Sequence, residues 1–391
     1  MNQLLKIGVV AGEVSGDLLG ADLIRALKRQ TDRPVELVGV GGDGLKAEGL
    51  QSLFDYSELS IMGFTQVLAR LPQLLGRIRQ TAAALAAARP DIILLIDSPD
   101  FTHRVARRVR ALRPDIPIVK YVCPSVWAWK EQRAPAMRAY VDHVLALLPF
   151  EPAVMQRLGG PPTTFVGHRL TADPELQAVR RARAEAERPA DQPRTILLLP
   201  GSRGSEVNRL LPQFREVVDG LMARNPHRRF LLPTVPRMEA RVREIVADWP
   251  VKPEIGASSA FKWQAFAAAD AALAASGTVI LELGLAGVPV VSVYRTDWLI
   301  KLITDRIKIW SGALPNLIAD YVIVPEYFNE QIRTGSLVRW MERLSGPSPQ
   351  RAAMDAGFAE VWERMQTPEP PGEIGARILL QTLESKKPGH R

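Results

Sequence analysis

Short apolar runs bounded by Gly, Pro and polar residues alternate along the chain with longer stretches in which apolar positions recur every three or four residues. The runs at 7–11, 35–40, 92–96, 118–122 and 144–148, and again at 195–199, 230–232, 251–255, 270–274 and 288–293, are short enough for strands. Most are too uniformly apolar for a sheet with one wet face, so they read as parallel strands covered on both sides. Helical patterning between them, as in 14–28, makes each run one βα unit. The fold class expected is α/β, with two doubly wound Rossmann-like domains facing across a cleft. Residues 1–170 form the first domain and 195–345 the second; the polar, Arg- and Glu-rich stretch 171–194 reads as a linker, and 346–391 as amphipathic helices.

The run 196–199 leads into Pro200-Gly201-Ser202-Arg203-Gly204-Ser205-Glu206. A buried strand that opens directly into a helix leaves backbone amides unpaired at the positive end of the helix dipole, and a phosphate fits there. Arg203 adds a planar fork of donors matched to phosphate oxygens, and Ser205 is the expected N-cap. The plain alternative is a tight turn whose Arg203 caps a neighbouring carbonyl. Ala275-Ser276-Gly277-Thr278 repeats the strand-to-helix turn, and Glu282 lies one helical turn beyond Thr278, placed to accept from both hydroxyls of a ribose or else to face water. Asn316, in Leu314-Pro315-Asn316-Leu317, binds a sugar or nucleotide or closes a turn.

In the first half, Gly12-Glu13-Val14-Ser15-Gly16-Asp17 follows the first strand. Its glycines allow close approach of a ligand, with Ser15 or Asp17 as the alternative helix cap. The strand 92–96 delivers Asp97-Ser98-Pro99-Asp100-Phe101 at its carboxyl end, where open α/β sheets bind ligands. A partly desolvated carboxylate there suits a general base, and Asp97 is the first choice; Asp100 also fits a helix cap. Gly39-Val40-Gly41-Gly42-Asp43-Gly44 matches the dinucleotide fingerprint in form, but it follows the second strand and no long helix comes after it, so a plain glycine-rich loop is the better reading. Trp127 and Trp129, in a loop after a strand, are either an acyl or sugar platform or core filler. Phe64, Val67, Leu68, Leu71, Leu74, Leu75 and Ile78 form a helical stripe interrupted at Pro72 and flanked by Arg70, Arg77 and Arg79. Such a stripe either faces the core or docks on a membrane surface with its arginines on acidic headgroups.

The composition narrows the chemistry. A formal charge of +8, from 50 Lys and Arg against 42 Asp and Glu, favours anionic partners without choosing among them. One cysteine, Cys123, rules out a disulfide framework within the chain and a multi-cysteine metal site. No apolar run approaches the roughly 18 residues needed to span a bilayer, and no signal-peptide pattern opens the chain, so a soluble or peripheral protein is expected. There is no D-x-D pair, P-loop or H-E-x-x-H, so no metal or cofactor is expected, and a departing nucleotide would rely on helix dipoles and Arg203. The arginine-rich stretch from Arg104 to Arg113 lacks interleaved stacking aromatics, which argues against nucleic acid.

Several short blocks, in order, carry a resemblance: Ala11-Gly12-Glu13 with Ser15-Gly16-Asp17, Ile96-Asp97 with Pro99-Asp100-Phe101, Pro124 to Trp129, Pro149-Phe150-Glu151, Gly167-His168, Leu199 to Glu206, Ser276-Gly277-Thr278 with Leu281-Glu282, and Leu314-Pro315-Asn316. Over nearly its whole length the chain resembles the lipid-A-disaccharide synthase family of inverting GT-B glycosyltransferases. The resemblance implies transfer of diacylglucosamine from UDP-2,3-diacylglucosamine to the 6-hydroxyl of 2,3-diacylglucosamine 1-phosphate, giving a β-1,6 disaccharide and UDP. It also implies a cytoplasmic enzyme peripheral on the inner face of the bacterial inner membrane, and a homodimer built partly by exchange of C-terminal elements, unless those helices cross back within one chain. Carried over, Asp97 is the base, with Glu13 and Asp100 as further catalytic candidates. Gly201, Ser202, Arg203, Glu206, Gly277, Thr278, Glu282 and Asn316 bind UDP. The resemblance also favours the membrane reading of Phe64, Val67, Leu68, Leu71 and Leu75, because both substrates are lipids.

Overall fold

A computed structural model of the chain describes residues 3–59, 64–186, 192–295 and 309–385, with backbone alone for 64–70. It divides into two compact units, one of Met1–Arg169 with Thr367–Arg391, the other of Leu170–Gln366.

The first unit is built on a parallel sheet of β1 (Leu5–Ala11), β2 (Val35–Val40), β3 (Gln51–Ser52), β4 (Ile92–Ile96), β5 (Ile118–Tyr121), β6 (His143–Ala146) and β7 (Thr163–Phe165). Its strand order is β3-β2-β1-β4-β5-β6-β7, so the winding reverses between β1 and β4. Ile7, Val9, Ile92, Leu94 and Ile96 point into one apolar layer, Val10, Ile93 and Leu95 into the other, as expected for strands covered on both faces. The second unit repeats the plan with β8 (Arg194–Leu199), β9 (Arg228–Pro233), β10 (Glu254–Gly256), β11 (Ala271–Ala275), β12 (Val290–Tyr294) and β13 (Glu326–Phe328). The order there is β10-β9-β8-β11-β12-β13, with the reversal between β8 and β11.

Three sequence expectations change. The stretch 171–194 is not a bare linker, because Pro174–Glu185 is a helix of the second unit, capped by the Asp173 carboxylate on the amides of Glu175 (2.9 Å) and Leu176 (3.2 Å); residues 187–191 lie outside the described ones. Arg183 ties that helix down by donating to the carbonyls of Gly287 and Ala269. The C-terminal segment does not form one block: helix Pro349–Arg364 belongs to the second unit and helix Pro371–Ser385 to the first. Pro368, Pro370 and Pro371 break the helical pattern where the chain passes between them. Ile374, Ile378, Leu379 and Leu383 then join the core beside helix Val14–Gln30 of the same chain, and Arg29 and Gln30 hold Glu373. Finally, helix Phe64–Ala88 runs through Pro72 instead of breaking there. Pro72 is exposed, where water can take up the carbonyl that its ring displaces.

Candidate active site

Ligand sites of doubly wound sheets lie at the strand ends beside the reversal of winding. In the first unit those ends are the β1 turn at Gly12-Glu13 and the β4 turn at Asp97-Ser98. Asp97 and Ser98 both adopt left-handed backbone, with φ of 48° and 39°. Two consecutive non-glycine residues in that region cost energy and need outside support. Support comes from Thr102, whose hydroxyl donates to the carbonyls of Asp97 (2.8 Å) and Ser98 (3.0 Å), and from the Lys120 ammonium, which donates to the Asp97 carbonyl. A side chain at Gly12 would collide with Ser98, and one at Gly16 would press on Ile96 and Asp97. These glycines therefore admit the neighbouring turn, not a ligand. The Glu13 carboxyl is pushed up from its ordinary value by burial first and by the Asp97 charge second, while Ser98 Oγ lies 3.5 Å from Glu13 Oε1. Two carboxylates thus sit together, one predisposed to hold a proton.

Asp100 differs from its expectation. Helix Pro99–Leu112 starts one residue before it with Ser98 at the N-cap, and no side chain caps it. The Asp100 carboxylate is exposed and meets Arg133 at 3.3 Å, so it is neither the cap nor part of the Glu13–Asp97 pair. Asp17 does not cap its own helix, whose N-cap is Glu13. Buried, it accepts from the amides of Gly42 (2.7 Å), Gly44 (2.7 Å) and Leu45 (3.2 Å), so the amides of the glycine-rich loop hold a carboxylate of the chain itself. The two tryptophans divide. Trp127 donates to Glu151 at 3.1 Å and packs edge-on against Phe150, whereas Trp129 is exposed beneath Lys130, whose Nζ is 3.9 Å from the ring centre. Glu151 also accepts from the amides of Leu147 and Leu148, and burial pushes its carboxyl up to about 7.

In the second unit a cavity of about 500 Å³ opens beside the reversal, lined by the turns after β8 and β11. The first turn differs from the sequence reading. Helix Gly204–Arg224 begins one residue before Ser205, with Arg203 as N-cap, and Glu206 folds back so that its carboxylate accepts from the amides of Ser202 (3.1 Å) and Arg203 (3.2 Å). These amides are therefore not free for phosphate: the Glu206 carboxylate fills the seat. Gly201, at φ 101°, is where the Glu206 side chain packs. The Arg203 side chain is exposed and reaches Glu206 at 3.3 Å. The second turn is open. Among the described residues, Gly277, at φ 154°, has no atom other than those of its chain neighbours within 4 Å of where a side chain would begin, and no side chain caps helix Thr278–Leu285. Glu282 is paired with Lys262 at 2.7 Å, and Lys262 lies over the Trp263 ring at 4.4 Å. The sequence reading missed Lys262 and Thr234. Among the described residues, the Thr234 hydroxyl is buried without a hydrogen-bond partner at the cavity wall. Neither has a recognisable local pattern; only the fold brings them to the cavity.

Asn316 is 1% exposed, and its amide is fully used. It donates to Ser311 Oγ (3.0 Å) and the Val324 carbonyl (2.9 Å) and accepts from the amides of Ile323 and Val324, both at 2.8 Å. No hydrogen-bonding capacity is left for a donor substrate, so the turn-closing alternative is the one realised. Asn316→Ala is expected to destabilise the second unit by about 2–4 kcal/mol, because two buried amides lose their acceptor. Urea unfolding followed by tryptophan fluorescence checks this; unchanged stability with weakened UDP binding would restore the ligand role.

Of the apolar stripe, the Phe64, Val67 and Leu68 side chains lie outside the described residues. Leu71 is exposed, whereas Leu75 leans on the core and Ile78 is buried in it. Arg77 forms a bidentate pair with Glu58 (2.7 and 2.9 Å) over the Phe54 ring. Among the described residues no helix is long and apolar enough to cross a membrane.

Comparison with known proteins bears on both units together. The family model described as Lipid-A-disaccharide synthetase matches residues 7–346. Lipid-A-disaccharide synthase of Nitrobacter winogradskyi is 45% identical over 388 residues, 99% of this chain and 98% of that one. The enzyme of the same name from Rhodopseudomonas palustris strain HaA2 is 46% identical over 380 residues, 97% and 96% of the two chains. Among solved structures, the kitacinnamycin glycotransferase superposes with a TM-score of 0.62 at 16% identity, covering 97% of this chain and all of that one. Acinetobacter baumannii MurG gives 0.59 at 13%, with 97% and 100% covered. These two show the GT-B-type α/β fold alone. With two doubly wound sheets, a carboxylate pair at one reversal and an open helix start at the other, and sequence identity along nearly its full length, the chain belongs to the lipid-A-disaccharide synthase family, glycosyltransferases of lipid A biosynthesis.

Proposed function

We propose that the chain transfers the diacylglucosaminyl group of UDP-2,3-diacylglucosamine to the 6-hydroxyl of 2,3-diacylglucosamine 1-phosphate, with inversion, giving the β-1,6 disaccharide 1-phosphate and UDP. The observation that carries the mechanism is the Glu13–Asp97 pair at the first reversal. Asp97 takes the proton of the 6-hydroxyl as its oxygen attacks the anomeric carbon opposite the UDP. Glu13 is held toward its neutral form by burial and by the neighbouring Asp97 charge, and the base role falls to Asp97. On the donor side, the amides at Gly277 and Thr278 with their helix dipole, together with the Arg203 guanidinium, face the charge that builds on the leaving diphosphate. Glu282 takes the ribose hydroxyls, oriented by Lys262. Gly201, Ser202 and Glu206 shape the wall, and the Ser202 amide is already held by Glu206. Attachment to the inner face of the inner membrane through Leu71 and its neighbours, and a homodimer, belong to the same reading, since both substrates are lipids.

UDP release from UDP-2,3-diacylglucosamine in detergent micelles, with and without the acceptor, tests it. Release that requires acceptor and yields a disaccharide is the expected result. Release without acceptor, or none with this donor, would redirect the assignment to a hydrolase or another UDP-sugar enzyme.

A further inference from the structure

β5 lies in the interior of the first sheet, yet its third residue is Lys120, 1% exposed and opposite Leu95 of β4. Burying an ammonium costs far more than burying Met or Ile at the same place, so a purely structural role does not explain it. Its donor goes to the Asp97 carbonyl, whose second lone pair is taken by Thr102 at 2.8 Å, and that carbonyl sits at the head of the left-handed Asp97-Ser98 pair. Among the described residues, the titratable groups whose charges act with that of Lys120 are Glu13, Asp97, His103 and Cys123. Two of these are neutral near pH 7. Burial pushes the Cys123 thiol up, and burial, followed by the Lys120 charge, pushes His103 down to about 3. Among the described residues this leaves the carboxyl groups of Asp97 and Glu13 beside the Lys120 charge, and Glu13 is the one held toward its neutral form. Burial lowers Lys120 to about 8, against the pull of Asp97, Cys123 and Glu13, so it is mostly protonated at neutral pH.

We propose that Lys120 is a positioning residue for the transfer reaction: its buried ammonium locks the Asp97-Ser98 turn through the Asp97 carbonyl and sets a positive charge beside the base. The inference rests on the base role given to Asp97 above. It predicts a distinctive signature, because removing a nearby cation raises the pKa of a carboxyl group. A base must be deprotonated to act, so the acid limb of the kcat profile moves to higher pH. In Lys120→Met, kcat is expected to fall about 10–100-fold and the acid limb to rise by about one pH unit, with KM for the UDP-sugar within about two-fold because the donor cavity lies in the other unit. Lys120→Gln, neutral but still able to donate, should show the same displaced limb with a smaller loss of kcat; it also serves if the Met variant does not fold, as judged by thermal melting. A wild-type limb in either folded variant overturns the inference, even if kcat has fallen, since a packing role would lower the rate without moving a titration. Asp97→Asn assayed alongside separates the two claims. If it retains turnover, the base reading fails; if it is inactive while the Lys120 variants are normal, only the role of Lys120 fails.

Discussion

Asp97→Asn is expected to turn over about 10²–10⁴-fold more slowly than the wild-type chain while its affinity for UDP stays the same. Asn matches the carboxylate in shape, and it is one of the few side chains that tolerate the left-handed backbone found at this position, φ 48°. Its carbonyl still accepts from Lys120 and Thr102, so the turn survives. Only the capacity to take a proton is removed. In the function proposed above UDP binds in the cavity of the second unit, whose lining shares no residue with the turn. Steady-state UDP release with both lipid substrates, together with calorimetric titration of UDP, reads the two quantities separately. Retained turnover would remove the base role, and a joint loss of UDP affinity would mean that the substitution disturbs more than the proton acceptor.

The second large effect concerns stability. Asp17→Ala should lower the stability of the first unit by about 3–5 kcal/mol. The carboxylate accepts three backbone amides, at 2.7, 2.7 and 3.2 Å, and two of them belong to Gly42 and Gly44, where an added side chain would itself collide with Asp17. Its removal leaves those donors buried without partners and uncaps the helix Asp43–Ala47. Urea unfolding measures the loss, and limited proteolysis should find new cleavage within 41–50. A change below about 1 kcal/mol would show that water replaces the carboxylate and that the loop does not depend on it.

Both effects show where the sequence could be read and where it could not. The βα alternation and the strand positions were visible because a strand buried on both faces leaves an uninterrupted apolar run. Strands that lack such a run, Gln51–Ser52, Thr163–Phe165 and Glu326–Phe328, had no such signal and exist because a neighbouring strand offers them an edge. Asp97 could be placed from the sequence because it ends a buried run, whereas its partner Glu13 was one of several polar residues in a turn until β1 and β4 were seen side by side. Lys120 and Lys262 were invisible for the same reason: one basic residue in an apolar strand or amphipathic helix has no period to betray its partner.

The sequence by itself determined the local alternation, the class of fold and the family, because these depend on residue spacing along the chain and on short ordered blocks. The tertiary structure decided which polar groups are spent. It gave the amides of Ser202 and Arg203 to Glu206, those of the glycine-rich loop to Asp17, and the amide of Asn316 to its own turn, while leaving the turn at Gly277 open. A hydrogen-bonding group can serve a ligand only if no part of the chain has claimed it, and that depends on contacts between residues far apart in sequence.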